Sequence, residues 1–271
     1  MKILALILAA AALTFGTQAT AQTSALRTLD TDYAAASWKA VGRIDFGQGA
    51  FCSGTLIAPD LVLTAAHCLY QPGSGTLWPT DTIRFSAGLR DGAAVAVRRA
   101  SDAAAHASFE PTGAMSVHNV SHDVGLIRLS EPISTFDVPP FYIHEDRIAP
   151  GPVSVVSYGR GRANAQSRQK ECQMLLREAD AMIFDCDVTF GSSGSPVFSH
   201  LNGRGRIISV VSGMLDIEGE KRSIGMVLPA RVAEVKSQMR LQVAPPTAKV
   251  RRITVGGGKQ RSNIGAKFVK P

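Results

Sequence analysis

Between residues 41 and 64 the chain breaks after every short apolar run, and this punctuation limits the folds open to it. Residues 41–46 alternate, Gly47 and Gly49 interrupt, 51–57 run again, Pro59 and Asp60 turn the chain, and 61–64 return. A helix cannot keep one apolar face across such breaks, whereas a strand presents a face at every second residue. Short strands joined by turns are what a small β-barrel requires. The pattern recurs: 83–89 and 93–99 read as a hairpin around Arg90, Asp91 and Gly92, 100–118 as irregular chain, and 124–129 as a strand closed by Glu131 and Pro132. Residues 134–152, with Pro139, Pro140, Pro150 and Pro152, read as a crossover to a second barrel. There, strands are expected at 153–160, 171–177, 182–186, 196–199, 206–211 and 223–228, with an exposed loop at 161–169 and a hairpin turn at 202–205. Residues 229–241 then place Val232, Val235 and Met239 on one helical stripe. A chain of 271 residues, 45% apolar, is long enough for two fused barrels with packed cores.

The ends of the chain read differently. Lys2, the apolar run 3–13 and Ala19-Thr20-Ala21 form the three parts of a cleavable leader, and the run is too short to span a bilayer. The mature protein is therefore expected to begin near Gln22 and to be secreted or periplasmic. Four cysteines in an exported chain imply two disulfides, with three pairings open. None has C-x-x-C spacing, so neither a zinc site nor any other metal or cofactor is expected. Residues 22–38 are polar and alanine-rich and read as a loosely packed extension or pro-segment. Residues 243–271 hold seven lysines and arginines, no acid and the run Gly256-Gly257-Gly258, the composition of a disordered basic tail. The formal charge is +7, and the tail with Lys2 holds eight positive charges, which leaves the body near −1. The basic balance thus belongs to the tail; it suits weak attachment to anionic surfaces and gives no ground for a specific nucleic-acid partner. The expected organisation is leader 1–21, extension 22–40, first barrel 41–138, second barrel with C-terminal helix 139–242, and tail 243–271.

Three stretches carry reactive side chains in the order His, Asp, Ser: Thr64-Ala65-Ala66-His67-Cys68, His122-Asp123-Val124-Gly125-Leu126-Ile127, and Phe190-Gly191-Ser192-Ser193-Gly194-Ser195-Pro196-Val197. A serine hydroxyl is a weak nucleophile at neutral pH, so it needs a base, and histidine has the suitable pKa. A carboxylate is then needed to fix the imidazole tautomer and stabilise its charged form. Each stretch also has a plain structural reading: a flexible turn, a histidine beside a disulfide, an aspartate capping a turn. His118 and His122 are spaced like metal ligands on a helix, but their segment reads as loop and strand, and both are expected at the surface, as are His106, His144 and His200.

Together with Cys52-Ser53-Gly54-Thr55-Leu56-Ile57, these stretches resemble the signature regions of the chymotrypsin-like (trypsin-like) serine proteases, over roughly residues 40 to 240. Gly191-Ser192-Ser193-Gly194-Ser195-Pro196 is more similar to the bacterial branch that includes the glutamyl endopeptidases than to the animal enzymes, which have aspartate where Ser192 stands and glycine where Ser195 stands. The resemblance implies an all-β fold of two six-stranded antiparallel barrels with a C-terminal helix and an active-site cleft between the barrels. It implies His67 as base, Asp123 as its orienting partner, Ser193 as nucleophile, and the N–H groups of Gly191 and Ser193 as oxyanion hole. It selects the bridge Cys52–Cys68 and leaves Cys172–Cys186. The function implied is that of an exported serine endopeptidase, monomeric and free of cofactors, cleaving protein or peptide substrates through an acyl-enzyme.

For the substrate, the resemblance suggests Asp187, Val188 and Phe190 at the specificity pocket and Ser212, Gly213 and Met214 along an extended backbone, with Met214 and Phe190 narrowing the pocket and Ser212 in reach of Asp123. Asp187 lies six residues before Ser193 and implies a Lys/Arg preference, unless it faces solvent beside the disulfide. A glutamate preference is the weaker expectation, because the strand near Val211 lacks the histidine of the glutamyl enzymes. With serine at 192, the zymogen switch of the animal enzymes cannot operate in its usual form. The alternatives are an inactive protease fold used as a binding protein, and esterase chemistry on the same triad.

Overall fold

The computed structural model describes residues 23–200 and 205–242; the leader, the basic tail and residues 202–204 of the expected hairpin turn lie outside the described residues. In chain order the strands are β1 (Leu26–Thr28), β2 (Val41–Gly47), β3 (Ala50–Ala58), β4 (Leu61–Thr64), β5 (Arg84–Ala87), β6 (Ala96–Ala105), β7 (Gly125–Leu129), β8 (Gly151–Gly159), β9 (Arg162–Glu178), β10 (Ala181–Phe184), β11 (Pro196–Ser199), β12 (Arg206–Ile217) and β13 (Glu220–Met226). Helices α1 (Asp32–Ala35) and α2 (Val117–Ser121) are short, and α3 (Pro229–Gln242) ends the described chain.

The first six of these strands after β1 close on themselves in the order β2-β3-β4-β7-β6-β5. The next six close as β8-β9-β10-β13-β12-β11, because β8 pairs with both β9 and β11. Every pairing is antiparallel, so the fold is two six-stranded barrels, and closure leaves neither barrel a free hydrogen-bonding edge. The apolar alternation places Ile44, Leu56, Leu63, Phe85 and Ile127 inside the first barrel, each fully buried. Burying a side chain of that size stabilises the fold by roughly 1.5–3 kcal/mol. Val232, Val235 and Met239 of α3 join the same core, as the helical stripe requires. No helix among the described residues is long and apolar enough to cross a membrane.

Three expectations are corrected. The segment 161–169 is not an exposed loop: β9 runs without a break through 162–178, with Gln166, Ser167 and Gln169 turned inward. The stretch 100–118 is only partly irregular, since β6 continues to Ala105 and α2 begins at Val117. The extension is not loosely packed. β1 adds to β9 as a seventh strand, Leu29 is buried, and Trp38 stacks against Phe141 and meets Phe198 edge-on. The amide of Gln166 holds this segment by donating to the carbonyls of Trp38 (2.9 Å) and Val41 (2.6 Å), which satisfies a buried polar group that hydropathy alone would place outside.

Candidate active site

β4 ends at Thr64, and the single turn Ala66–Leu69 that follows carries His67 out of the first barrel. The bridge Cys52–Cys68 ties this turn to β3, and Cys172–Cys186 ties β9 to the chain after β10. The bridges close loops of 16 and 14 residues, each of which stabilises a fold by about 3 kcal/mol on chain-entropy grounds. Asp123 sits between α2 and β7 with only 2% of its surface accessible. Its Oδ1 accepts the His67 backbone N–H at 2.8 Å, and its Oδ2 meets His67 Nδ1 at 2.7 Å and accepts the Ser212 hydroxyl at 2.6 Å. Three donors around a buried carboxylate satisfy its oxygens and fix the ring by its Nδ1 edge. A register shift in β12 between Val211 and Gly213 is what turns Ser212 toward Asp123.

Burial is the largest influence on the His67 ring and disfavours its charge, but the Asp123 carboxylate, through its field and its hydrogen bond, outweighs it. The net result is a pKa above the ordinary histidine value of 6.5. The ring remains about a third accessible and lines a cleft of about 480 Å³ together with Ser193, Gly191, Phe190, Arg160 and the Cys52–Cys68 bridge. His67 Nε2 lies 3.8 Å from the Cys68 sulfur.

Ser193 stands on the turn between the Cys186 region and β11, in the second barrel, and its carbonyl accepts the Ser53 N–H of β3 at 2.9 Å. Gly191 has φ +91°, and a Cβ there would lie 2.3 Å from the Phe51 ring, so both the backbone and the space call for glycine. The Phe190 carbonyl accepts from Arg160 N–H (2.7 Å) and the Ser192 carbonyl from Ser195 N–H (3.0 Å). A peptide's C=O and N–H point opposite ways, so anchoring these two carbonyls turns the N–H groups of Gly191 and Ser193 to the other side. Neither of those two groups donates to an acceptor among the described residues, whereas the N–H groups of Ser192, Gly194 and Ser195 all do. Two such donors, two residues apart on a turn that lines the cleft, can receive a developing oxyanion.

Sequence reasoning missed Ser53. This fully buried side chain accepts from Tyr158 N–H (2.9 Å) and donates to the Gly191 carbonyl (2.9 Å), so it joins the first barrel to the turn that carries Ser193. The only signal was its place in Cys52-Ser53-Gly54-Thr55. Arg160, whose guanidinium lies 4.3 Å over the Phe190 ring at the cleft wall, was also missed. Of the expected substrate residues, Phe190 and Met214 are exposed, Ser212 and Gly213 half-buried, and Val188 packs against the second barrel's core. Asp187 is exposed, does not line the cleft that holds His67 and Ser193, and its field falls on Arg162. His106 is not a surface residue: it is buried, with its Nε2 2.5 Å from Glu234 of α3 and its ring against His122, which is itself only half-exposed.

Two barrels with this pair of walls facing one cleft define a class, and comparison places the chain within it. The trypsin-like peptidase domain matches residues 52–208, and the chain belongs to that family. The glutamyl endopeptidase of Bacillus licheniformis is 29% identical over 182 residues, covering 66% of this chain and 54% of that protein. The modular serine protease of Drosophila melanogaster is 50% identical over 36 residues, 13% of this chain and 6% of that one. The chain thus spans about half the length, or less, of the curated relatives it matches. Among solved structures, a Glu endopeptidase superposes with a TM-score of 0.66 at 19% identity, covering 80% of this chain and 97% of that one. The thermostable serine protease AL20 from an extremophilic microorganism gives 0.61 at 18% identity, covering 75% and 98%. At such identities the likeness is one of fold.

Proposed function

We propose that the chain is an exported serine endopeptidase that hydrolyses peptide bonds through Ser193, His67 and Asp123. The observation that carries this reading is the buried Asp123 carboxylate gripping His67 at 2.7 Å on a cleft that Ser193 and Gly191 also line, their N–H groups without an acceptor among the described residues. His67 takes the Ser193 proton as Oγ bonds to the substrate carbonyl carbon, and the N–H groups of Gly191 and Ser193 receive the oxyanion. Collapse breaks the C–N bond while His67 returns the proton to the leaving amine. Water then repeats the cycle on the acyl-enzyme. Export is supported by the leader pattern at 1–21 and by two disulfides, which an oxidising compartment maintains.

Two readings of specificity rest on different observations. Asp187 supports a Lys/Arg preference, but its exposure and the proximity of Arg162 weaken the carboxylate as a pocket floor. An acidic residue before the cleaved bond is supported by the glutamyl relative and by the Arg160 guanidinium at the cleft wall, and we take this reading. Cleavage of a peptide library, mapped by mass spectrometry, tests it: cuts after Glu or Asp are expected. Cuts after Lys or Arg that disappear in Asp187→Ser would restore the other preference. Turnover of esters alone would mark an esterase, and absence of both would favour a binding protein.

A further inference from the structure

Ser192, the residue immediately before the nucleophile, is fully buried, and its hydroxyl is saturated. It donates to the Tyr158 carbonyl (3.1 Å) and accepts from Thr189 N–H (3.2 Å) and from Arg162 Nη2 (3.0 Å). Arg162 in turn donates Nη1 to the Ser157 carbonyl (2.7 Å) and Nη2 to the Ser157 hydroxyl (2.9 Å). One guanidinium therefore spans β8 and the back of the nucleophile turn. The chain leaves room for it at Gly159, where a Cβ would stand 2.9 Å from the Arg162 guanidinium carbon and 2.7 Å from Thr189.

We propose that Arg162 is a positioning residue that holds the oxyanion turn in its working shape from behind; this rests on the serine-protease reading above. Drawing even a half-buried cation out of water is costly, and among the described residues this one's hydrogen-bond partners are all neutral oxygens. Burial draws its pKa down to about 10, with Asp187 offsetting part of the effect, so it stays charged at neutral pH. Such a group gains little stability over an apolar filler, but its planar fork fixes three acceptors at once. Those acceptors set the Ser192 side chain, and with it the 192–193 peptide whose N–H faces the substrate. Arg162 fills this space from within the fold, while residues 24–28 are bound elsewhere, along β9.

The test compares the mature wild type with Arg162→Ala, Arg162→Lys and Ser192→Ala, after circular dichroism confirms folding. In Arg162→Ala, kcat is expected to fall about 100-fold, the loss typical of removing one oxyanion donor, with KM within threefold. Binding of a peptide aldehyde, which forms an oxyanion, should weaken by a similar factor, while the amine-side product peptide, which places no oxygen at those N–H groups, binds unchanged. Added guanidinium should recover part of kcat, and Arg162→Lys should retain more activity than Arg162→Ala. If Arg162→Ala misfolds, Ser192→Ala carries the same expectation, because it severs the contact while leaving the cation. A folded variant with kcat and aldehyde affinity within threefold of wild type overturns the proposal. A wild type that neither cleaves peptides nor takes a fluorophosphonate on Ser193 overturns the protease reading instead.

Discussion

The two barrels share a strand order but hold their halves of the site by different means. The first barrel's apolar core continues through the interface into α3, and on it stand a histidine and a carboxylate fixed to each other. The second barrel's own cluster has ten residues, two of them bridged cysteines. Much of its interior is polar: Ser154, Ser157, Gln166, Ser167, Gln169, Ser192, Ser195, Ser199, Ser209 and Ser223 are all buried. Apolar packing is non-directional and makes a stiff platform for two groups that align each other. The turn of residues 190–195 is held by directional bonds, from hydroxyls and one guanidinium of the second barrel and from Ser53 of the first.

The largest break in this comparison is expected at Ser193, the proposed nucleophile. Ser193→Ala should lower kcat/KM by about 10⁴- to 10⁶-fold with an unchanged melting temperature, measured by peptide hydrolysis and thermal unfolding. Asp123→Asn should cost about 10⁴-fold, and it also sharpens the electrostatics of the first barrel. Without the carboxylate only burial acts on His67, so the acid limb of kcat/KM should move from above 6.5 to below it. In the wild type the sign is opposite for activity and stability. Activity is expected to rise with pH as His67 loses its proton, whereas the contribution of the raised pKa to stability should be full below 6.5 and be lost as pH climbs through the folded-state value.

Removing Cys172–Cys186 or Cys52–Cys68 as serine pairs should each cost about 3 kcal/mol in urea unfolding. Only the second should also lower kcat, because that bridge touches the His67 turn. The smallest effect is expected at Ser195→Ala. Its buried hydroxyl has no partner among the described residues, so activity should stay within threefold of wild type.

The strands around His67, the C-terminal helix and the order of the reactive residues were legible because they are local: alternation, turn residues and stripes lie within one window of sequence. β9 was not, because Gln166 and Gln169 lie buried on it, and their polarity reads as exposure until the carbonyls they bind, those of Trp38, Val41 and Ser24, are in place. Trp38 was misplaced for the same reason, since its neighbours Phe141 and Phe198 are distant in the chain. Ser53 and Arg162 act through bonds that cross 138 and 30 residues, and neither residue type marks such a role. Asp187 was aligned by counting back from Ser193, and counting says nothing about which way a side chain faces.

The most direct test is the rate at which a fluorophosphonate labels the mature protein, with the modified residue mapped by mass spectrometry across pH. The account predicts modification of Ser193 alone, at a rate that rises with pH around a midpoint above 6.5 and collapses in His67→Ala. A folded protein that stays unlabelled, or one labelled at Ser195 or labelled equally fast without His67, would contradict it.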